Sequence, residues 1–156
     1  SLLTIVVLAL PLLVGVFVST ACAQDEGGAG IDAAAVLATA TEVLSAEPYG
    51  YTCEAKENGG VAAVAENAPP LGVAANAEAA LLVVTTQIPA EGVDAAGLLQ
   101  MANQLNSKAG VTKFYVDTDG ALMAEMGIAL GGGFTAEEFA AFMKAFMDDV
   151  TPKAEG

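Results

Sequence analysis

The sequence contains no His, no Arg and no Trp, and its five Lys stand against nineteen Asp and Glu. Without His there is no imidazole base, no Ser-His or Cys-His pair and no His-ligated zinc. A net charge of −14 lacks the basic footprint that nucleic acid requires. It equally disfavours an anionic membrane surface. Cysteine is scarce: Cys22 and Cys53 are the only two. Serine beyond residue 24 is limited to Ser45 and Ser107, neither in the G-x-S-x-G setting of a hydrolase nucleophile.

What is abundant is apolar. Ser1 to Gln24 carries no charge, and Leu2 to Val18 is interrupted only by Thr4, Pro11 and Gly15. Small residues follow, with Ala21 and Ala23 at the spacing a signal peptidase accepts, before the first acids at Asp25 and Glu26. This pattern predicts a secretory signal over residues 1–23, cleaved before Gln24, and hence a periplasmic or extracellular protein. The chain begins at Ser1 without a basic n-region, so that part of the signal is expected to lie outside this sequence. Two other readings stay open. The run is long enough for an uncleaved membrane anchor, and Cys22 is a candidate for lipidation because small residues precede it. Membrane contact is expected only by one of these two routes. After cleavage Cys53 stands alone, so no internal disulfide is expected; its environment reads as a strand interior.

Residues 24–30 read as a flexible leader rich in Gly. Residues 31–151 read as a single domain, and 152–156 as a tail. Val36, Leu37, Ala40, Val43 and Leu44 predict a helix from Asp32 to Ser45. Strands are expected over 49–55 and 61–65, joined by the turn Asn58-Gly59-Gly60, then over 71–75 after a break at Pro69-Pro70. The near-continuous apolar run from Ala80 to Ile88 predicts a central strand. A second helix is expected from Asp94 to Asn106, strands over 112–116 and 121–129, and a third helix over 135–150. That helix opens on Thr135 with Glu138 three residues later, the pattern of a capping box. The order α-β-β-(β)-β-α-β-β-α predicts an α+β fold, with three helices and an antiparallel sheet of five to six strands.

Few residues carry a chemical signature. Asp117-Thr118-Asp119-Gly120 has Gly fourth and Ile128 twelfth, where a calcium loop needs Gly sixth and Glu twelfth, so it reads as a hairpin turn. Gly131-Gly132-Gly133 lacks the Lys and Ser or Thr of a phosphate loop and reads as a connection. Glu137-Glu138 and Asp148-Asp149 are placed on a solvent face. No catalytic, cofactor or metal site is expected. The strongest pattern is in the third helix: Phe139, Phe142, Met143, Phe146, Met147 and Val150 recur at helical spacing. Phe139 and Phe142 are expected to face the sheet. An outer part, drawn from Phe142, Met143, Phe146 and Met147, is a candidate dimer seam or partner surface.

The C-terminal half resembles a known family. Asn103-x-x-Asn106, Lys113-Phe114-Tyr115-Val116-Asp117, Asp119-Gly120, Glu125, Gly131-Gly132-Gly133 and Phe139 resemble the YbjN family, a group of bacterial proteins described as sensory transduction regulators. The likeness covers about Leu98 to Met147. It departs at Leu105, where the family has Trp. The resemblance implies a fold like type III secretion chaperones, small, acidic, often dimeric and without enzymatic activity. It does not imply a defined ligand; a protein partner or a homodimer is the kind of partner expected. The resulting expectation is an exported acidic protein-binding module. The alternatives are a hydrolase with paired carboxylates or a lipid-anchored envelope structural protein.

Overall fold

The computed structural model describes residues 31–151. The expected signal with its residues Ala21, Cys22, Ala23 and Gln24, the expected leader and the expected tail lie outside the described residues. The elements in order are α1 (Ala33–Ser45), β1 (Thr52–Ala55), β2 (Val61–Ala65), β3 (Ala68–Asn76), β4 (Leu81–Gln87), α2 (Ala95–Asn106), β5 (Lys113–Val116), β6 (Leu122–Ala129) and α3 (Ala136–Val150). The six strands form one antiparallel sheet in the order β1-β2-β3-β4-β6-β5. The α+β fold expected from the sequence is the one observed, with β4 inside the sheet.

Local chemistry sets the boundaries. The Asp32 carboxylate accepts from the N–H groups of Ala34 and Ala35 at the start of α1, and Asp94 accepts from Gly97 N–H in α2. These acids satisfy donors that the helix leaves orphaned. Thr135 accepts from Glu138 N–H at the start of α3. Its hydroxyl also lies 3.3 Å from the Glu138 carboxylate, so the two side chains meet each other as well. Asp117 accepts from Asp119 and Ala121 N–H groups and Gly120 takes φ +80°, which makes this segment the β5–β6 turn.

The Pro69-Pro70 break is corrected: both prolines lie inside β3. The β2–β3 register shifts between Ala63 and Ala65, and pairing with β4 starts only at Gly72. Neither proline nitrogen is therefore asked to donate to a ladder. Their carbonyls are used instead, accepting from the Tyr51 hydroxyl at 3.0 Å and the Thr86 hydroxyl at 2.7 Å.

One sheet face is the core. Ala63, Leu71, Val73, Leu82, Val84, Phe114, Leu122, Ala124, Met126 and Ile128 are buried there. They pack with Val36, Ala40 and Leu44 of α1 and with Phe139, Met143, Phe146 and Val150 of α3. Helix α2 adds Leu98 and Ala102 and closes the β5 edge. There the Asn106 side chain donates to Phe114 C=O and accepts from Phe114 N–H, both at 2.8 Å. The opposite edge is open. The Lys56–Gly60 hydrogen bond fixes the alternation, so Cys53 and Ala55 turn their backbone groups away from β2. Among the described residues these groups meet no partner. Cys53 itself is half-buried on the core side, its sulfur 3.7 Å from the Ser45 hydroxyl.

Asp149 is not simply on a solvent face. Its carboxylate accepts from the N–H groups of Gly110, Val111 and Thr112 at 3.1–3.2 Å, fastening the loop after α2 to α3. Partial burial opposes its charge. The N–H donors of Val111, Gly110 and Thr112 outweigh that and hold the carboxyl below its ordinary value. A depressed folded pKa stabilises the protein above the unfolded value of about 3.9, and that stability is lost as pH falls through the folded value. Asp149→Ala is therefore expected to cost about 1–2 kcal/mol at neutral pH, the scale of an N-cap acid. The gap between parent and variant melting temperatures should close on acidification below about pH 4. An equal gap at both ends would mean that the charge does not hold the loop.

Candidate docking surface

The second sheet face is bare. Ala62 and Val64 of β2, Gly72 and Ala74 of β3, Leu81, Val83 and Thr85 of β4, and Gly127 and Ala129 of β6 share it through the registers Ala62–Gly72–Thr85, Ala74–Val83–Gly127 and Leu81–Ala129. None of these residues is buried, and Val64 is 52% exposed. The strands β2, β3 and β4 contain no charged residue, in a chain with nineteen acids. A sheet with one solvated face ordinarily alternates apolar inward and polar outward. Here both faces are apolar and helices cover only one. Apolar patches of this kind on a folded domain mark interaction sites.

The bare face is not flat. A depression of about 340 Å3 lies over β2 and β3, with Gly60, Ala62, Gly72 and Ala74 among its lining and Val83, Thr85, Lys56 and Asn58 beside them. A Cβ at Gly72 would sit 2.9 Å from Thr85 Oγ1, so any larger residue there would force the Thr85 side chain to shift. Toward β5 the face turns polar. Tyr115 donates to Glu125 at 3.1 Å, and the Lys113 ammonium lies 5.2 Å from the centre of the Tyr115 ring. Burial and the neighbouring Glu125 carboxylate raise the Tyr115 pKa, so this phenol is a hydrogen-bond donor at neutral pH.

The α3 residues singled out by sequence do not form one surface. Met143 and Phe146 are fully buried, while Phe142 is 37% exposed, so the expected inward place of Phe142 and outward place of Phe146 are exchanged. The reason is helical phase. Phe139, Met143, Phe146 and Val150 form the stripe on the sheet, and Phe142 and Met147 flank it. Phe142 borders Gly132, Gly133 and Phe134. Met147 is half-buried, with its sulfur 3.9 Å from the Tyr51 hydroxyl.

Among the described residues no group of three His, Cys, Asp or Glu side chains is placed to hold a metal, and no helix is long and apolar enough to cross a membrane. A wider depression of about 440 Å3, between the β4–α2 connection and the β5–β6 turn, brings a single carboxylate, Glu91. A hydrolase with paired carboxylates needs two converging there, one with a raised pKa.

Comparison with known proteins agrees with this architecture. The family described as "YbjN: Putative bacterial sensory transduction regulator" matches residues 37–151. No curated protein matches the chain. Among solved structures, the ExsC–ExsE complex is similar at TM-score 0.56 and 16% identity, over 75% of this chain and 86% of that one. The Yersinia pestis type III secretion chaperone SycH, in complex with a stable fragment of YscM2, is similar at TM-score 0.52 and 15% identity, over 75% and 95%. YbjN from E. coli is similar at TM-score 0.52 and 15% identity, over 73% and 84%.

Proposed function

The chain belongs to the YbjN family, and from that premise we propose that it is a non-enzymatic, chaperone-like module that holds another protein on the bare face of its sheet, outside the cytoplasm after export. The observation that carries the reading is the charge-free apolar surface of β2–β4, which no element of the described chain covers. The similar folds lend support: SycH and ExsC were each solved with a protein in complex. Export rests on the apolar N-terminus and on Ala21 and Ala23.

Affinity capture from an envelope extract, followed by mass spectrometry, tests the reading when run beside Val64→Asp and Val83→Asp. Both side chains lie on the bare face, so folding should survive and melting temperatures should stay close to the parent's. The expected result is a small set of proteins recovered by the parent and missing from both variants, since interface energy concentrates in a few apolar anchors. Equal recovery would exclude this face as the site. The intact mass of the exported protein should start at Gln24; a mass retaining residues 1–23 would remove the export reading.

A further inference from the structure

The rim of the bare face says what kind of partner fits it. The strands that build the face are uncharged, yet the positions around them are acidic. Glu57 lies in the β1–β2 turn and Glu78 in the β3–β4 turn, at one end of the strands. Glu66 lies in the β2–β3 turn, at the other end. Glu54 on β1 flanks one side, paired to Ala62, and Glu125 on β6 flanks the other, paired to Thr85. Two cations adjoin this ring, and both have acidic or aromatic neighbours of their own: Lys56 lies 3.9 Å from Glu54, and Lys113 sits over Tyr115 opposite Glu125.

We infer that the face receives a cationic amphipathic segment of a partner protein, whose apolar side chains fill the depression over Gly60, Ala62, Gly72 and Ala74 while its Lys or Arg meet the surrounding glutamates. This rests on the proposed docking role and adds the charge of the partner. A second copy of the chain does not fit. Placing two such faces together would oppose two rings of glutamate, and like charge set against like charge across an interface costs affinity. An acidic partner meets the same repulsion. A cationic one gains at both stages, since the acidic field steers it inward and the apolar floor then holds it.

The test uses three synthetic helical peptides. One carries Leu at i, i+3, i+4 and i+7 with Lys elsewhere; one has Glu for every Lys; one has Ser for every Leu. Binding is read by fluorescence anisotropy, and the site by backbone amide shifts in nuclear magnetic resonance. The Leu/Lys peptide should bind, with shifts centred on Ala62, Gly72, Ala74 and Val83. Its affinity should fall about tenfold or more between roughly 0.05 M and 0.5 M salt, as the screening length shrinks. Glu57→Lys combined with Glu78→Lys, both in exposed turns, should weaken it by a similar factor. The Leu/Glu and Ser/Lys peptides should bind far more weakly. Equal binding of the Leu/Glu peptide at the same face overturns the cationic partner while leaving the docking face in place. Equal binding of the Ser/Lys peptide overturns it as well, by reducing the attraction to charge alone. Shifts centred elsewhere, or self-association through this face in sedimentation, also overturn it. Failure of the docking role itself is read separately, in the capture experiment with Val64→Asp and Val83→Asp.

Discussion

Phe146→Ala is expected to cost about 3–5 kcal/mol, the range for deleting a buried Phe, and to lower the melting temperature by roughly 10 °C or more. Phe146 is wholly inaccessible, in the stripe with Phe139, Met143 and Val150 that α3 presses onto the sheet. The core cluster also includes Val36 and Leu44 of α1, so the ring's removal leaves a cavity in the interior rather than a dent in the surface. Phe142→Ala, one turn earlier and 37% exposed, should cost about 1 kcal/mol or less, as surface truncations do. The pair is the informative comparison. Chemical denaturation of both variants reads it directly. Equal losses would mean that Phe142 is as deeply packed as Phe146, contrary to the phase of the helix.

Asn106→Ala is expected to destabilise by about 2 kcal/mol, the sum of two hydrogen bonds worth about 1 kcal/mol each. The Asn106 amide is shaped like a peptide group and answers Phe114 as a neighbouring strand would, with one donor and one acceptor at 2.8 Å. Alanine removes both. Asn106→Asp keeps the acceptor for Phe114 N–H but opposes a carboxylate to Phe114 C=O, so it should recover little of the loss. Amide hydrogen exchange adds a local readout. The Phe114 amide should exchange about tenfold or more faster in the variants, in step with the lost local stability. Unchanged exchange at Phe114 would show that α2 protects the edge by coverage alone.

Much of the fold is legible in the sequence, because patterning and turn chemistry agree at most boundaries. Asn58-Gly59-Gly60, Asp117 to Gly120 and the Thr135–Glu138 pair all stand where elements begin or end. The misplacements have local causes. β1 starts at Thr52 rather than Tyr49 because the preceding residues turn to the helices: Tyr51 N–H donates to Leu44 C=O of α1, and the Tyr49 hydroxyl donates to Ala140 C=O of α3 at 2.9 Å. Pro69 and Pro70 look like a break because prolines cannot serve a ladder from both sides, yet a register shift lets a strand carry them. Several residues behind the family resemblance acquire physical reasons. Asn106 holds the β5 edge, Glu125 receives the Tyr115 hydroxyl and Phe139 is core.

The bare apolar face was present in the sequence but not readable there. A run such as Leu81-Leu82-Val83-Val84 is what a strand covered on both sides shows. A strand covered on one side and left apolar on the other shows the same run. Only the positions of the helices separate the two cases. The α3 stripe fails for the complementary reason. Six apolar residues span more than one side of a helix, and their spacing alone does not say which four face inward.

The two edges of the sheet also set a valence. At β5 the outward groups of Phe114 are already spoken for by Asn106, whereas at β1 those of Cys53 and Ala55 face outward. Growth of a sheet from molecule to molecule needs two receptive ends, so that each added unit offers a fresh one. This domain offers an open edge at β1 and a partly closed one at β5. Two copies that pair through β1 about a two-fold axis leave only the ends guarded by Asn106 facing outward, so the pair is a poorer template for further strands than a domain with two bare edges.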